Sequence, residues 1–213
     1  MSPPNAAQTA RERVRAELTR EIRQEARRQL AEAGANGLSL RAVARELGMV
    51  SSALYRYYPS RDDLLTALNI DAYTAIGAAA EAAAEAGAAR AGTGAGPPAR
   101  ETWAAACRAI RAWAVANPHE YALIYGSPVP GYRAPEATIG PASRVPLAFA
   151  AILEDAVASA SVPADMLVRA TIAWTQLFGM ISFELFGQFV GSFEPADAFF
   201  DHAVAQLAAF IGL

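Results

Sequence analysis

The segment SSALYRYYPSRDDL, residues 51–64, concentrates side chains that can donate hydrogen bonds to phosphate oxygens. Tyrosine hydroxyls and guanidinium groups follow one another at Tyr55, Arg56, Tyr57, Tyr58 and Arg61. A helix that served only for packing would repeat apolar residues every three or four positions, whereas here only Leu54 fits that pattern. The segment therefore has the composition of a surface that contacts a phosphate backbone.

Two helices are predicted upstream of this segment. Between residues 12 and 33, apolar residues recur at every fourth position among arginines, which predicts an amphipathic helix that ends near Gly34. The sequence LSLRAVARELG predicts a shorter helix, capped by Ser39 and closed by Gly48. Together with the segment 51–64, these elements form a helix-turn-helix pattern, whose second helix enters the major groove of double-stranded DNA.

The charge is divided unevenly along the chain, although the formal net charge of the 213 residues is only −3. Residues 1–61 contain 11 Arg and 6 Glu and so carry +5, whereas residues 62–213 contain 7 Arg and 15 acidic residues and carry −8. This division indicates different partners for the two parts, with nucleic acid favoured only for the first.

The spacing of the helix-turn-helix resembles that of the TetR family of transcriptional regulators. The matching positions are Val43-Ala44, Gly48, Leu54-Tyr55, Tyr57-Tyr58, Arg61 and Leu64. The resemblance implies that Arg41 reaches a base or a phosphate, and that Ser51, Ser52 and Ala53 face the groove. It also implies that Tyr55, Tyr57 and Arg61 hold phosphates.

A structural role is the alternative for each of these side chains. Leu54 and Tyr58 are expected in the core, and Arg56 is balanced between solvent and DNA. Four positions differ from the residues common in the family, namely Val50, Ser52, Tyr58 and Arg61. These differences leave the predicted fold intact and leave the operator sequence open.

The remainder of the chain predicts only helices. The next helix begins at the cap Ser60 and runs into GAAAEAAAEAG, an alanine-rich stretch with high helix propensity and little to bury. A flexible connection at about 89–100 precedes helices at about 100–116, 118–126, 142–160, 164–190 and 195–211. We therefore predict an all-α protein with a DNA-binding domain over residues 1–60 and a helical domain over 61–213.

The segment AWTQLFGMISFELFG resembles, more loosely, the Trp-x-x-x-His-Gly helix of one C-terminal subgroup, with Phe178 in place of His. The family resemblance implies a ligand cavity and a dimer interface in this domain. Pockets are mostly apolar with a few polar groups, so the candidate ligand-binding residues are Trp103, Cys107, Trp113, Tyr121, Tyr125, Trp174, Phe178 and Phe183. A plain core role is the alternative for each of them and is the favoured one. The loop from Gly126 to Pro141 is either a lid or disordered.

The helix at 164–190 is apolar on nearly all sides, which predicts burial against its own domain and against something further. A membrane is disfavoured because Arg169, Gln176, Glu184 and Gln188 interrupt the apolar stretch. A second copy of the chain is the simplest partner, so we predict a homodimer whose interface includes the last helix.

Catalysis finds little support in the sequence. His119 and His202 are far apart, no paired metal-ligand motif occurs, and Cys107 is alone, which excludes an intrachain disulfide and favours a small buried side chain. We expect no enzyme activity, no cofactor and no metal. With no secretory pattern at its start, the chain is expected in the cytoplasm. The family resemblance implies a repressor that a small hydrophobic or aromatic ligand releases from DNA, and activation stays open. The alternative is a helical protein-interaction module without DNA binding.

Overall fold

The computed structural model describes residues 6–91, 99–159, 165–193 and 195–213, and every regular element within these ranges is helical. The helices are α1 (Ala6–Gly37), α2 (Leu40–Glu46), α3 (Ser51–Leu54), α4 (Arg61–Ala91), α5 (Ala99–Ala116), α6 (Pro118–Tyr125), α7 (Ile139–Ser159), α8 (Met166–Leu185) and α9 (Ala196–Ile211). A short 3-10 helix, Glu136–Thr138, precedes α7. The all-α prediction is confirmed. The predicted flexible connection lies largely in residues 92–98, outside the described ranges.

The chain forms two compact units. The first, unit 1, comprises Met1–Asn69 and Ser127–Pro135, and the second, unit 2, comprises Ile70–Gly126 and Glu136–Leu213. Helix α4 supplies residues to both units. A domain boundary at residues 60 and 61 stays a prediction.

Unit 1 is built around the apolar stripe of α1, of which Ile22, Ala26 and Leu30 are buried. Val14 was predicted to extend this stripe, but its side chain is 67% exposed, so the core begins further along the helix. The regular helix breaks as predicted at Gly34, where φ is +66°, and a last turn then runs on to Gly37. Only glycine adopts such a positive φ at little cost.

The segment Ser127–Pro135 packs into unit 1 although it follows α6 in the chain. The hydroxyl of Tyr132 lies 3.1 Å from Oγ1 of Thr66 and accepts a hydrogen bond from Nδ2 of Asn69 at 3.3 Å. Asn69 is buried and also donates to the Leu65 carbonyl oxygen. The loop from Gly126 to Pro141 was predicted to be a lid or disordered. Its central residue Tyr132 is bonded to α4.

Unit 2 packs α5 against the neighbouring helices along a buried face formed by Trp103, Ala106, Cys107, Ile110 and Ala114. The alanine-rich part of α4 belongs to the same core, because Ala80 is fully buried there. The prediction that this stretch has little to bury was therefore wrong. The small side chains in this part of α4 allow neighbouring helices to approach it closely.

Helix α8 is shorter than predicted and is buried on one face only. It ends at Leu185, and Gly187 in the following turn has a φ of +80°, which an L side chain rarely adopts. Leu167 is 79% and Val168 61% exposed, so the predicted burial on nearly all sides does not occur within one chain. By length and composition α8 is also able to cross a membrane. This is weak evidence for a membrane span, because core helices of soluble proteins pass the same test.

Candidate nucleic-acid interface and aromatic core

Helix α2 is closed at both ends by the residues that the sequence predicted. Oγ of Ser39 accepts a hydrogen bond from the Ala42 amide at 3.4 Å and caps α2. At the other end the amides of Gly48 and Met49 donate to the carbonyl oxygens of Arg45 and Ala44, at 3.1 and 2.8 Å. This is the Schellman pattern, which requires the positive φ of +64° that Gly48 has.

Helix α3 is a single turn of four residues, Ser51–Leu54, and the backbone then tightens. The Tyr57 and Tyr58 amides both donate to the Leu54 carbonyl oxygen, at 2.8 and 3.1 Å. Ser51 and Ser52 are exposed, and Ala53 is half-buried. These three residues have small side chains, so another molecule can approach the backbone of α3 closely.

Tyr55 and Tyr58 point in opposite directions. Tyr55 is 41% exposed, while Tyr58 is buried and its hydroxyl accepts a hydrogen bond from Nε of Arg23 at 2.7 Å. Leu54 is fully buried beneath the pair. The predicted core roles of Leu54 and Tyr58 are confirmed, and Tyr55 stays available on the surface.

Arg61 has a structural role that the sequence did not reveal. Its Nε donates to the Leu38 carbonyl oxygen at 3.2 Å, and its Nη2 donates to the Ala35 carbonyl oxygen at 2.6 Å. These carbonyl groups lie at the end of α1 and just beyond it, where helical partners run out. Arg61 thus joins the start of α4 to α1, and a phosphate contact by this side chain stays a prediction.

The remaining predicted contacts lie on or near the same surface. Arg41 is exposed on α2, and the half-buried Tyr57 lies beneath the guanidinium of Arg15, 5.1 Å from ring centre to Cζ. Ser60 caps α4 as predicted, since its Oγ accepts from the Asp63 amide at 3.1 Å. Helix α4 therefore begins a few residues after the exposed Tyr55.

Seven of the eight candidate ligand-binding residues lie in or against the core of unit 2. Trp103, Cys107 and Tyr121 are fully buried and Phe178 is nearly so, while Trp113, Tyr125 and Trp174 pack against them while partly buried. Phe183 lies apart. It is 52% exposed and makes an edge contact with Phe189, 5.6 Å between ring centroids.

Aromatic rings from three helices meet in this core. The centroids of Tyr125 and Phe178 are 4.3 Å apart, and Tyr121 is 5.2 Å from Tyr125. The Tyr121 hydroxyl donates to the Phe178 carbonyl oxygen at 3.0 Å and lies 2.9 Å from Oγ of Ser182. Burial raises the pKa of both tyrosines, so their hydroxyls stay protonated at neutral pH.

Sequence reasoning missed two polar members of this cluster. Tyr73 on α4 makes an edge contact with Tyr125 at 5.9 Å and donates its hydroxyl to the Ile124 carbonyl oxygen at 3.3 Å. Ser182 pairs with Tyr121 as described above. Ser182 lies in the segment quoted for the subgroup resemblance, one turn after Phe178, and that spacing was the available signal.

Arg111 holds α5 against both C-terminal helices. Its Nε and Nη2 pair with the two carboxylate oxygens of Glu184 at 2.7 and 2.6 Å, and its Nη1 pairs with Asp197 at 2.7 Å. The guanidinium also lies 4.9 Å from the ring centre of Phe200. A bidentate pair of this kind fixes geometry as well as charge.

Two surface clefts of unit 2 lie beside these helices and away from the predicted ligand residues. One, of about 620 Å³, is lined by Gly87, Thr102, Arg108 and neighbouring alanines, and the other, of about 570 Å³, by Arg111, Val115 and Asp197 among others. Within the described ranges, no group of three His, Cys, Asp or Glu side chains is arranged to hold a metal ion.

A capped helix-turn-helix with a low exposed surface, joined by one long helix to an all-helical core, defines the class of helix-turn-helix transcriptional regulators. Comparison with known proteins agrees. The family model of bacterial regulatory proteins, tetR family, matches residues 22–68, and that of a Tetracyclin repressor-like C-terminal domain matches residues 103–207.

Individual relatives cover most of the chain. The HTH-type transcriptional regulators Mb1846 of Mycobacterium bovis and Rv1816 of Mycobacterium tuberculosis are each 38% identical to it, over 84% of this chain and 84% of theirs. The crystal structure of the regulatory protein SCO4313 superposes with a TM-score of 0.72 at 34% identity, covering 97% of this chain and 98% of that one. The chain belongs to the TetR family and is a DNA-binding transcriptional regulator. The likeness to the Trp-x-x-x-His-Gly subgroup stays a prediction.

Proposed function

We propose that the protein is a cytoplasmic, homodimeric repressor that leaves its operator when a small hydrophobic or aromatic ligand binds in unit 2. The observation that carries the DNA-binding part is the exposed surface of α2 and α3. Arg41, Ser51 and Ser52 are all exposed there, and Tyr55 projects beside them. Val50, directly before Ser51, is 69% exposed as well.

On DNA, each of these side chains has a distinct task. Ser51, Ser52 and Ala53 let the backbone of α3 approach the base edges, because small side chains keep the distance short. Tyr55 and Tyr57 donate to phosphate oxygens, and Arg41 donates to a phosphate or a base. Arg61 supports DNA binding in two ways. It holds α4 to α1, and the guanidinium N–H groups that do not bond to carbonyl oxygens can donate to a phosphate.

The exposed apolar face of α8 supports a homodimer. Leu167, Val168 and Ile172 lie on this face and are 79%, 61% and 42% exposed, and Phe210 on α9 is 41% exposed. Large apolar side chains exposed in such number on neighbouring helices are typical of a surface that a partner covers. A symmetric dimer would place the two α3 helices in successive major grooves, about 34 to 36 Å apart.

Helix α4 is the element through which a ligand would act. Ser60 caps its start a few residues after the exposed Tyr55, and its later turns bring Tyr73, Ile76 and Ala80 to the core of unit 2. A ligand that binds one orientation of α4 more tightly shifts the population toward that orientation. Release from DNA then follows if the favoured orientation no longer matches the groove spacing.

A mobility-shift titration on the DNA upstream of the protein's own gene tests the proposal. Affinity is expected to fall steeply with salt, with a logarithmic slope of about −0.9 for each neutralised phosphate. Arg41→Ala is expected to weaken binding and, for a phosphate contact, to reduce the slope by about 0.9. Arg108→Ala, in unit 2, is the matched control and is expected to bind normally.

Two results would contradict the proposal. Absence of any shift at low salt on promoter fragments would contradict recognition of its own operator. Unchanged affinity and slope for Arg41→Ala combined with Tyr55→Phe would show that the DNA-binding surface lies elsewhere on unit 1.

A further inference from the structure

Within the described part of the chain, the indole N–H groups of two tryptophans in unit 2 have no acceptor. Among the described side chains, Nε1 of Trp103 and Nε1 of Trp174 are shielded from solvent without a hydrogen-bond partner. Buried donors in folded proteins are almost always paired, because an unpaired one loses the hydrogen bond that it made to water. Two such groups in one core point to acceptors that another molecule supplies.

Both tryptophans stand beside aromatic rings. Trp174 makes an edge contact with Phe178 at 5.8 Å between centroids, and Phe178 in turn lies against Tyr125. Trp103 lies against Phe149 with centroids 4.5 Å apart. A flat aromatic molecule can pack against these rings and at the same time place an oxygen where it accepts a hydrogen bond from an indole N–H.

In the described part of this core, no buried side chain carries a charge that could neutralise a charged ligand. Among the described residues of unit 2, Thr102 and Thr138 are the buried polar side chains, and neither is ionisable. The least exposed arginine pair of the unit, Arg111 with Glu184, is already neutralised. A carboxylate or ammonium group would therefore lose its hydration without a counter-ion.

We propose that Trp103 and Trp174 are the hydrogen-bond donors of the ligand site, and that the site takes uncharged aromatic compounds carrying a carbonyl oxygen, such as aryl ketones, amides or esters. This inference rests on the proposed function, in that unit 2 binds a small ligand. It adds the polarity and the charge state of that ligand, and it names the two residues that recognise its carbonyl oxygen.

Matched naphthalene derivatives test this class directly. Acetylnaphthalene, ethylnaphthalene and naphthoate, substituted at the same ring carbon, share one aromatic body and differ in the group offered to the indoles. Equilibrium dialysis against the full-length protein is expected to give the ketone a Kd about tenfold lower than that of the hydrocarbon, the difference that one hydrogen bond makes. The carboxylate is expected to bind more weakly than the ketone by at least about tenfold.

Tryptophan variants locate the effect. The double variant Trp103→Phe, Trp174→Phe keeps aromatic rings at both positions and is expected to bring the ketone and the hydrocarbon within about twofold of each other. Phe193→Leu changes an exposed aromatic side chain of unit 2 outside this core, and this control is expected to keep the tenfold preference. Circular dichroism of the unliganded variants checks that they fold.

Three results would overturn the inference, and all three are measured on the unmodified protein, so they hold even if the double variant fails to fold. These are equal affinity for ketone and hydrocarbon, tightest binding of the carboxylate, and binding of none of the three. A preference for the ketone that survives in the folded double variant would also overturn it.

The mobility shift separates this inference from the proposed function. Loss of DNA binding under all conditions would defeat the repressor proposal and leave the ketone preference standing. Normal DNA binding without any ketone preference would defeat only the assignment of the ligand class.

Discussion

Tyr55 and Tyr58 show how two residues of one type, three positions apart, acquire different roles. The backbone tightens directly after Leu54, so Tyr58 turns inward to the guanidinium of Arg23 while Tyr55 stays at the surface. The buried hydroxyl contributes to stability because it pairs with a charged donor. The exposed hydroxyl has no such task within the described residues and is free to meet a phosphate.

The pair gives a prediction that separates folding from DNA binding. Tyr58→Phe is expected to destabilise unit 1 by about 1 to 2 kcal/mol, because a hydrogen bond to a charged group is lost. Tyr55→Phe is expected to leave the free energy of unfolding unchanged and to weaken operator affinity. Urea denaturation and mobility shifts on both variants check this, and the opposite assignment of effects would contradict it.

Cys107 gives a second prediction at this scale. Burial raises the pKa of its thiol, so the reactive thiolate is scarce at neutral pH. The folded protein is expected to react with a disulfide reagent more than about a hundredfold more slowly than the protein in guanidinium chloride. Rapid labelling of the folded protein would contradict the buried, unreactive role of Cys107.

At the scale of elements, α4 depends on glycines that allow other helices to come close. A Cβ atom built on Gly87 would lie 2.3 Å from Oγ1 of Thr102 on α5, and one on Gly77 would lie 2.5 Å from Cβ of Arg144 on α7. Arg144 also pairs with Glu81, one turn further along α4. The second half of α4 is therefore a packing surface despite its simple composition.

Substitution of these glycines tests the packing. Gly87→Ala is expected to destabilise the protein by about 1 to 3 kcal/mol, because the added methyl group cannot fit without a backbone shift. Gly140→Ala in α7 meets nothing within 4 Å and is expected to be neutral or to stabilise by about 0.5 to 1 kcal/mol through helix propensity. Thermal unfolding of both variants checks the contrast, and equal effects would show that the contact to Thr102 is not rigid.

The sequence predicted the helices well because periodicity and capping are local. Ser39, Gly48 and Ser60 act within a few residues of themselves, and each performs the predicted function. Contacts between distant residues were out of reach. Nothing near Arg61 in sequence indicates that it bonds to carbonyl groups at positions 35 and 38, and nothing near Tyr132 indicates Asn69.

The aromatic core shows the same limit. Residue types identified Tyr121, Tyr125 and Phe178 as candidates, but they included Phe183 because a helix apolar on most sides does not reveal which face packs. Tyr73 was overlooked because its partners lie on α6, about fifty residues away in the chain. Which donors remain unpaired can be known only once the packing is known.

At the scale of the whole molecule, the apolar face of α8 predicts the oligomeric state. Ile172→Glu is expected to convert the dimer to a monomer, because two carboxylates would be buried opposite each other across a symmetric interface. Leu147→Glu on α7 makes the same change at a residue that is 64% exposed and is expected to leave the dimer intact. Light scattering after gel filtration measures both, and a monomeric unmodified protein would contradict the proposal.

The hydrogen bonds of Tyr132 also bear on how the protein is made. Unit 1 takes in Ser127–Pro135, so a ribosome that has finished the helix-turn-helix has not yet made the segment that completes the unit. At about 5 to 20 residues per second, translation needs several seconds more to reach it. During that interval the Asn69 amide lacks the Tyr132 hydroxyl, and a fragment cut after α4 would lack it permanently. The nascent DNA-binding unit therefore matures only when the chain has passed through α6, which ties its completion to the synthesis of the first helices of unit 2.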